Sequence, residues 1–218
     1  MAAIDAILFD LDGTLVRYHG IEYESSWGAV VQAAGVGVAA DLNLRKYIRR
    51  KDAYAEWVSK DAELLTGIPV ARVAERVLPP PYAKGVRRAV EELVGEYRLG
   101  IVSSGVGLVA DWVRDDLGFE FAVANDLGVE NGVFDGTSRT NVDLWGKDQA
   151  LHAIAFEREL ALERICFVGD HFNDLSVMRI VGLAVAANPK DDRLREVADY
   201  TIEDFAELPG IVRAFTGR

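Results

Sequence analysis

Two carboxylates, Asp10 and Asp12, stand one residue apart at the end of the apolar run Ala6-Ile7-Leu8-Phe9, and Gly13-Thr14 follow them. An ionised carboxylate can attack an electrophile, move a proton or ligate a hard cation. Other chemistry-bearing residues occupy comparable places. Ser103 follows Leu99-Gly100-Ile101-Val102, and Asp170, Asn173 and Asp174 follow the run from Arg164 to Val168. Lys147 comes directly after Gly146, where a helix is expected to begin. Taken singly, each has an ordinary reading: an Asp-Gly turn, a helix-capping serine, a solvated lysine. Their common placement, after a strand or at the start of a helix, makes them a set.

The elements that must position this set alternate between strand and helix. An apolar run without polar alternation reads as a strand buried on both faces of a parallel sheet. Residues 4–9, 99–102 and 164–168 are such runs, and they are expected side by side at the sheet centre. In open α/β sheets, ligands bind beyond the carboxyl ends of the strands. Further strands are read at 119–124, 183–186 and 200–202. Asn131-Gly132 marks a hairpin between 127–129 and 133–134. Between the first strand and this alternation, residues 17–80 read as all helical. Tyr23, Trp27, Val30, Val31 and Ala34 share one helical face; Gly35 and Gly37 interrupt it; Asp41 is placed to cap the next helix. Leu44, Ile48, Lys51, Ala55, Val58, Ala62 and Leu65 then follow a roughly heptad rhythm, and Pro79-Pro80-Pro81 ends the segment. The expected architecture is a doubly wound (Rossmann-like) α/β core, residues 1–16 and 81–218, with a helical domain inserted at 17–80. Two chain crossings join that insertion to the core, an arrangement suited to a hinged lid.

The stretch Asp10-Leu11-Asp12-Gly13-Thr14, with Ser103, Lys147 and Asp170 in that order, resembles the four-part pattern of the haloacid dehalogenase-like phosphohydrolases. Residues 125–136, Asn-Asp-Leu-Gly-Val-Glu-Asn-Gly-Val-Phe-Asp-Gly, resemble the hairpin segment of the phosphoserine phosphatase branch. A helical insertion after the first motif matches that branch's C1-type cap. The resemblance implies a phosphomonoesterase acting through an aspartyl phosphate on a small phosphorylated metabolite. It makes Asp10 the nucleophile and Asp12 the acid and base. Asp10, Asp170 and the main-chain carbonyl of Asp12 would hold Mg²⁺, oriented by Asp174 and Asn173. Ser103 and backbone N–H groups near Leu11, Asp12 and Ser104 would bind phosphate oxygens, with Lys147 bridging nucleophile and phosphate. A charge count agrees with the cation, because four aspartates against one lysine would repel a phosphate dianion.

The chain departs from the branch in places. The glutamate that reads the amino group of phosphoserine early in the cap is replaced by Arg17-Tyr18-His19-Gly20, with Glu22 and Glu24 slightly later. Arg17, His19, Glu22, Glu24 and His171 are therefore the candidates for substrate choice. Trp27, Tyr54 and Trp57 read as packing residues, with room for one to reach the cleft. The same set would also serve a phosphotransferase or mutase. A phospho-receiver module shares the acceptor Asp, metal site, Ser and Lys, but lacks Asp-x-Asp-Gly-Thr on its first strand.

A formal net charge of −11 disfavours nucleic acid and anionic membranes as partners. One cysteine, Cys166, leaves no internal disulfide, and no apolar run is long enough to span a bilayer. A cytoplasmic monomer or homodimer is expected.

Overall fold

The computed structural model describes residues 3–20 and 24–217. Seven strands form one sheet: β1 (Ala6–Phe9), β2 (Arg98–Val106), β3 (Phe121–Glu130), β4 (Val133–Arg139), β5 (Ile165–Gly169), β6 (Leu183–Ala187) and β7 (Tyr200–Ile202). Their order is β4-β3-β2-β1-β5-β6-β7, and every pairing is parallel except the β3–β4 hairpin. β1 is central because it is apolar on both faces. Ile7 and Phe9 pack with α5 (Val86–Leu93), α6 (Gly107–Leu117) and α10 (Leu208–Thr216). Ala6 and Leu8 pack with α7 (Lys147–Glu157), α8 (Leu175–Met178) and α9 (Asp192–Val197). This two-sided burial is what the unbroken apolar run demands. Phe9 pairs with Ile101 and with Val168. That register carries Asp10, Ser103 and Asp170 to the same end of three adjacent strands.

Among the described residues, the chain between β1 and α5 is helical: α1 (Ser26–Ala34), α2 (Gly37–Tyr47), α3 (Tyr54–Leu64) and α4 (Val70–Val77). The heptad rhythm from Leu44 to Leu65 is not one rod. The chain turns after Tyr47 through a short 3₁₀ segment, Lys51–Ala53, and α3 runs back along α2. Tyr47 donates to Glu56 at 2.6 Å, and Asn43 donates to Asp61 at 2.8 Å, so the two helices face each other. Asp41 lies inside α2, whose N-cap is Val36, and caps nothing.

The helical segment also touches the core at more than its two chain crossings. Gly67 N–H donates to Phe134 O, Phe134 N–H to Ile68 O, and Val70 N–H to Gly132 O. The loop between α3 and α4 is thereby stitched to the β3–β4 hairpin. No helix among the described residues is long and apolar enough to cross a membrane.

Candidate active site

The carboxyl ends of β1, β2 and β5 open onto a cavity of about 940 Å³, roofed by α1, α2 and α3. Asp10 lies at its floor, 3% exposed. Lys147, the first residue of α7, is fully buried, with Nζ 3.0 Å from Asp10 Oδ1 and 2.6 Å from Asp174 Oδ1. Burial alone would lower its pKa, but the two carboxylates outweigh that and hold it above the usual lysine range. The lysine is thus a fixed positive charge beside Asp10. Leu11 N–H, expected to face phosphate, donates to Asp10 Oδ1 at 2.8 Å.

Asp12 turns toward α1. Ser26 donates to it twice, from its backbone N–H at 2.7 Å and its hydroxyl at 2.6 Å, and Val106 N–H donates to the same hydroxyl at 3.0 Å. Burial pushes the Asp12 carboxyl up to about 7, against the pull of the Ser26 hydroxyl, and the charge of Asp10 adds to the rise. A carboxyl group at that value can hold or release a proton near neutrality. Gly105 makes room for this pair, since a Cβ there would sit 2.6 Å from both Asp12 Oδ2 and Ser26 Oγ.

Asp10, Asp170 and Asp174 each offer a carboxylate oxygen within 4.8 Å of the others. Thr14 donates to Asp170 Oδ1 at 3.2 Å, but Asp170 Oδ2 is buried with no hydrogen-bond partner among the described residues. A buried carboxylate oxygen without a hydrogen bond, facing two further carboxylates and with Lys190 no nearer than 3.7 Å, fits a hard cation. Burial, then Asp174 and Asp10, raise the Asp170 carboxyl well above the ordinary value, against the pull of Lys190 and Thr14. Asp174 Oδ2 accepts from the backbone N–H groups of Asp170 and His171, which fixes the loop. Gly13 has φ +83°, and a Cβ there would collide with the Asp170 carboxylate, so the Gly of the first motif is required twice over.

Ser103 is buried and faces the cavity; its hydroxyl accepts from Gly105 N–H at 3.1 Å. Ser104 contributes its carbonyl, which accepts from Tyr54 Oη (2.7 Å), Asn125 Nδ2 (2.8 Å) and Trp27 Nε1 (3.1 Å). Asn173 and His171 line the cavity. His171 is held below its usual pKa by burial and then by Lys190, so it faces the cavity uncharged.

The candidates for substrate choice separate. Glu24 lines the cavity, whereas Arg17 and His19 do not. Arg17 donates back to Gly13 O at 3.2 Å, and His19 is exposed, 3.5 Å from Glu24. Glu22 lies outside the described residues. Trp27, Tyr54 and Trp57 all line the cavity, Trp27 while also packing against the core and Tyr54 while nearly fully buried. Four residues had no expected role at the site: Ser26, Asp61, Asn125 and Lys190. Lys190 Nζ lies 3.7 Å from Asp170 Oδ2 and 3.8 Å from Glu24. Asp61 had a usable signal, since Tyr54, Trp57, Val58 and Asp61 share one helical stripe at i, i+3, i+4 and i+7.

Comparison with known proteins bears on this arrangement. The family model described as haloacid dehalogenase-like hydrolase matches residues 7–179. The chain belongs to that family. Among haloacid dehalogenase-like relatives, the phosphoserine phosphatase of Archaeoglobus fulgidus is 30% identical over 213 residues, covering 95% of this chain and 59% of its own length. That of Methanocaldococcus jannaschii is 29% identical over 199 residues, covering 90% of this chain and 91% of its own. The chain therefore spans about three fifths of the first relative and about nine tenths of the second. A solved phosphoserine phosphatase bearing a phospho-aspartyl intermediate analogue superposes with a TM-score of 0.76 at 27% identity, over 96% of this chain and 99% of that one.

Proposed function

We infer that this hydrolase is a Mg²⁺-dependent phosphomonoesterase that works through an aspartyl phosphate, with residues 17–80 as its cap domain. The observation that carries the reading is the buried Lys147 bridging Asp10 and Asp174 at the floor of a roofed cavity. Asp10, Asp170 and the Asp12 carbonyl would hold the cation, with Asp174 fixing the loop. Mg²⁺, when bound, supplies positive charge to the phosphate oxygens.

The remaining chemistry belongs to the chain. Asp10 Oδ attacks phosphorus as the ester oxygen leaves, and Asp12 gives that oxygen its proton. Asp12, now ionised, takes a proton from water as water attacks the phosphoaspartate. Lys147, Ser103 and nearby backbone N–H groups bind phosphate oxygens. The helical roof covers the phosphate end of the cavity and limits the access of bulk water to the transfer. The phosphoserine phosphatase relatives support hydrolysis over transfer to a second acceptor. Phosphate release from a small aryl phosphate with Mg²⁺ tests the reading. Asp10→Asn should lower that rate by at least about three orders of magnitude without unfolding the chain; retention of a tenth of wild-type turnover would remove the covalent step.

A further inference from the structure

The half of the cavity remote from Asp10 has its own chemistry. Tyr54, Trp57, Val58 and Asp61 form one stripe down α3. At the near end Tyr54 bonds the Ser104 carbonyl beside the phosphate-binding residues. At the far end Asp61, two turns or ~10 Å further along the helix, is 6% exposed and still lines the cavity. Between them Trp57 meets Tyr54 edge-on at 5.9 Å. Val31, Leu44 and Ile48 line the cavity from α1 and α2, and Val38, 86% exposed, lies at its rim.

The polar groups at the far end are short of partners. Asp61 accepts from the Asn43 amide at 2.8 Å and meets no cation among the described residues. The Trp57 indole N–H lies beside that carboxyl outside hydrogen-bond geometry and has no other partner among them. Six carboxylates line the cavity: Asp10, Asp12, Glu24, Asp41, Asp61 and Asp170. Asp10 is paired with the buried Lys147 and Asp41 with Arg45. Lys190, the single Lys or Arg among the described lining residues, sits at the phosphate end against Asp170 and Glu24. Apart from Asp12, which Ser26 holds, Asp61 alone of the six has no cation beside it among the described residues.

We propose that this end of the cavity is a leaving-group subsite for an organic ammonium. The substrate, on the phosphomonoesterase reading, is then a phosphate ester with an apolar body of about six carbons' length and a terminal amine, and without a carboxylate. Aromatic walls ending in a carboxylate that has no counter-cation among the described residues attract a cation through the ring faces as well as the charge. A carboxylate in the leaving group, as in phosphoserine, would meet acids and apolar walls there. Burying it without a cation is unfavourable.

The test compares wild-type kcat/KM, with Mg²⁺, for hexyl phosphate, its terminal amine and its terminal carboxylate, alongside phosphoserine and a small aryl phosphate. The amine should exceed hexyl phosphate by about tenfold or more, and the carboxylate should fall below both, since a charge-assisted hydrogen bond is worth that much. In Asp61→Asn the amine-to-hexyl ratio should collapse toward one, with a thermal melt confirming the fold. Equal turnover of amine and carboxylate, or phosphoserine as the best substrate, overturns the subsite while leaving the phosphatase reading standing. Failure to hydrolyse the aryl phosphate or any of the esters overturns both.

Discussion

Replacing Asp61 by Asn should stabilise the unliganded protein, and by an amount that depends on pH. Burial lifts the Asp61 carboxyl from 3.8 to about 6, against the pull of the Asn43 hydrogen bond. A difference of about two pH units corresponds to ~3 kcal/mol of penalty on the ionised form, an upper figure because water in the cavity screens the charge. The sign follows from the direction. A buried acid with a raised pKa burdens the fold fully above about 6 and not at all below about 3.8. Asn keeps a carbonyl oxygen for the Asn43 amide and carries no charge. At pH 7.5 the variant should therefore melt roughly 5–10 °C above wild type, at ~2–4 °C per kcal/mol for a chain of this size. The gap should shrink steadily as pH falls from about 6 toward 4. Paired thermal melts followed by circular dichroism, without ligand, measure it. A variant less stable than wild type at pH 7.5, or a gap that does not change with pH, would refute the assignment of Asp61 as an uncompensated buried charge.

Other perturbations reach the site itself. EDTA should abolish phosphate release and Mg²⁺ restore it, while Ca²⁺ restores little, because its larger and looser coordination misplaces the in-line geometry; activity undiminished in excess chelator would contradict the cation site. Lys147→Met leaves Asp10 and Asp174 buried without their counter-charge, so turnover should be lost and stability fall by about 3–5 kcal/mol in urea titrations. A Lys147→Met protein as stable as wild type would count against the buried bridge. Ser26→Ala removes one donor to Asp12 and the acceptor for Val106 N–H; kcat should fall by about ten- to a hundredfold with a smaller change in KM, and an unchanged kcat would mean that Asp12 needs no positioning from α1.

The parts of this molecule that were legible in the sequence share a physical cause. Strands buried on both faces cannot hide their apolar runs, so β1, β2 and β5 and the residues just beyond them are legible in the chain itself. The Asn131-Gly132 turn and the helix opening at Lys147 announce themselves locally. What stayed illegible depends on contacts between distant segments. Ser26 matters only because α1 brings it against Asp12, and Lys190 only because a loop after β6 returns to Asp170. The rhythm from Leu44 to Leu65 hid the turn at 48–53, since an apolar repeat does not reveal whether a helix runs on or folds back on itself. Arg17 and His19 adjoin the first motif in sequence, yet the loop bends Arg17 back to Gly13 and leaves His19 in solvent.

The stitching of the α3–α4 loop to the hairpin changes what counts as a module here. Three main-chain hydrogen bonds tie Gly67, Ile68 and Val70 to Gly132 and Phe134, so the roof is held at the hairpin by backbone, whereas α1 is held to the core through the side chains of Ser26 and Trp27. Because those bonds run backbone to backbone, they tolerate side-chain drift but not a change of loop length on either partner. Anyone transplanting specificity between chains of this kind would have to move two separated pieces together, residues 17–80 and the hairpin at 127–139. A graft of the first piece alone would leave the new roof without its seam.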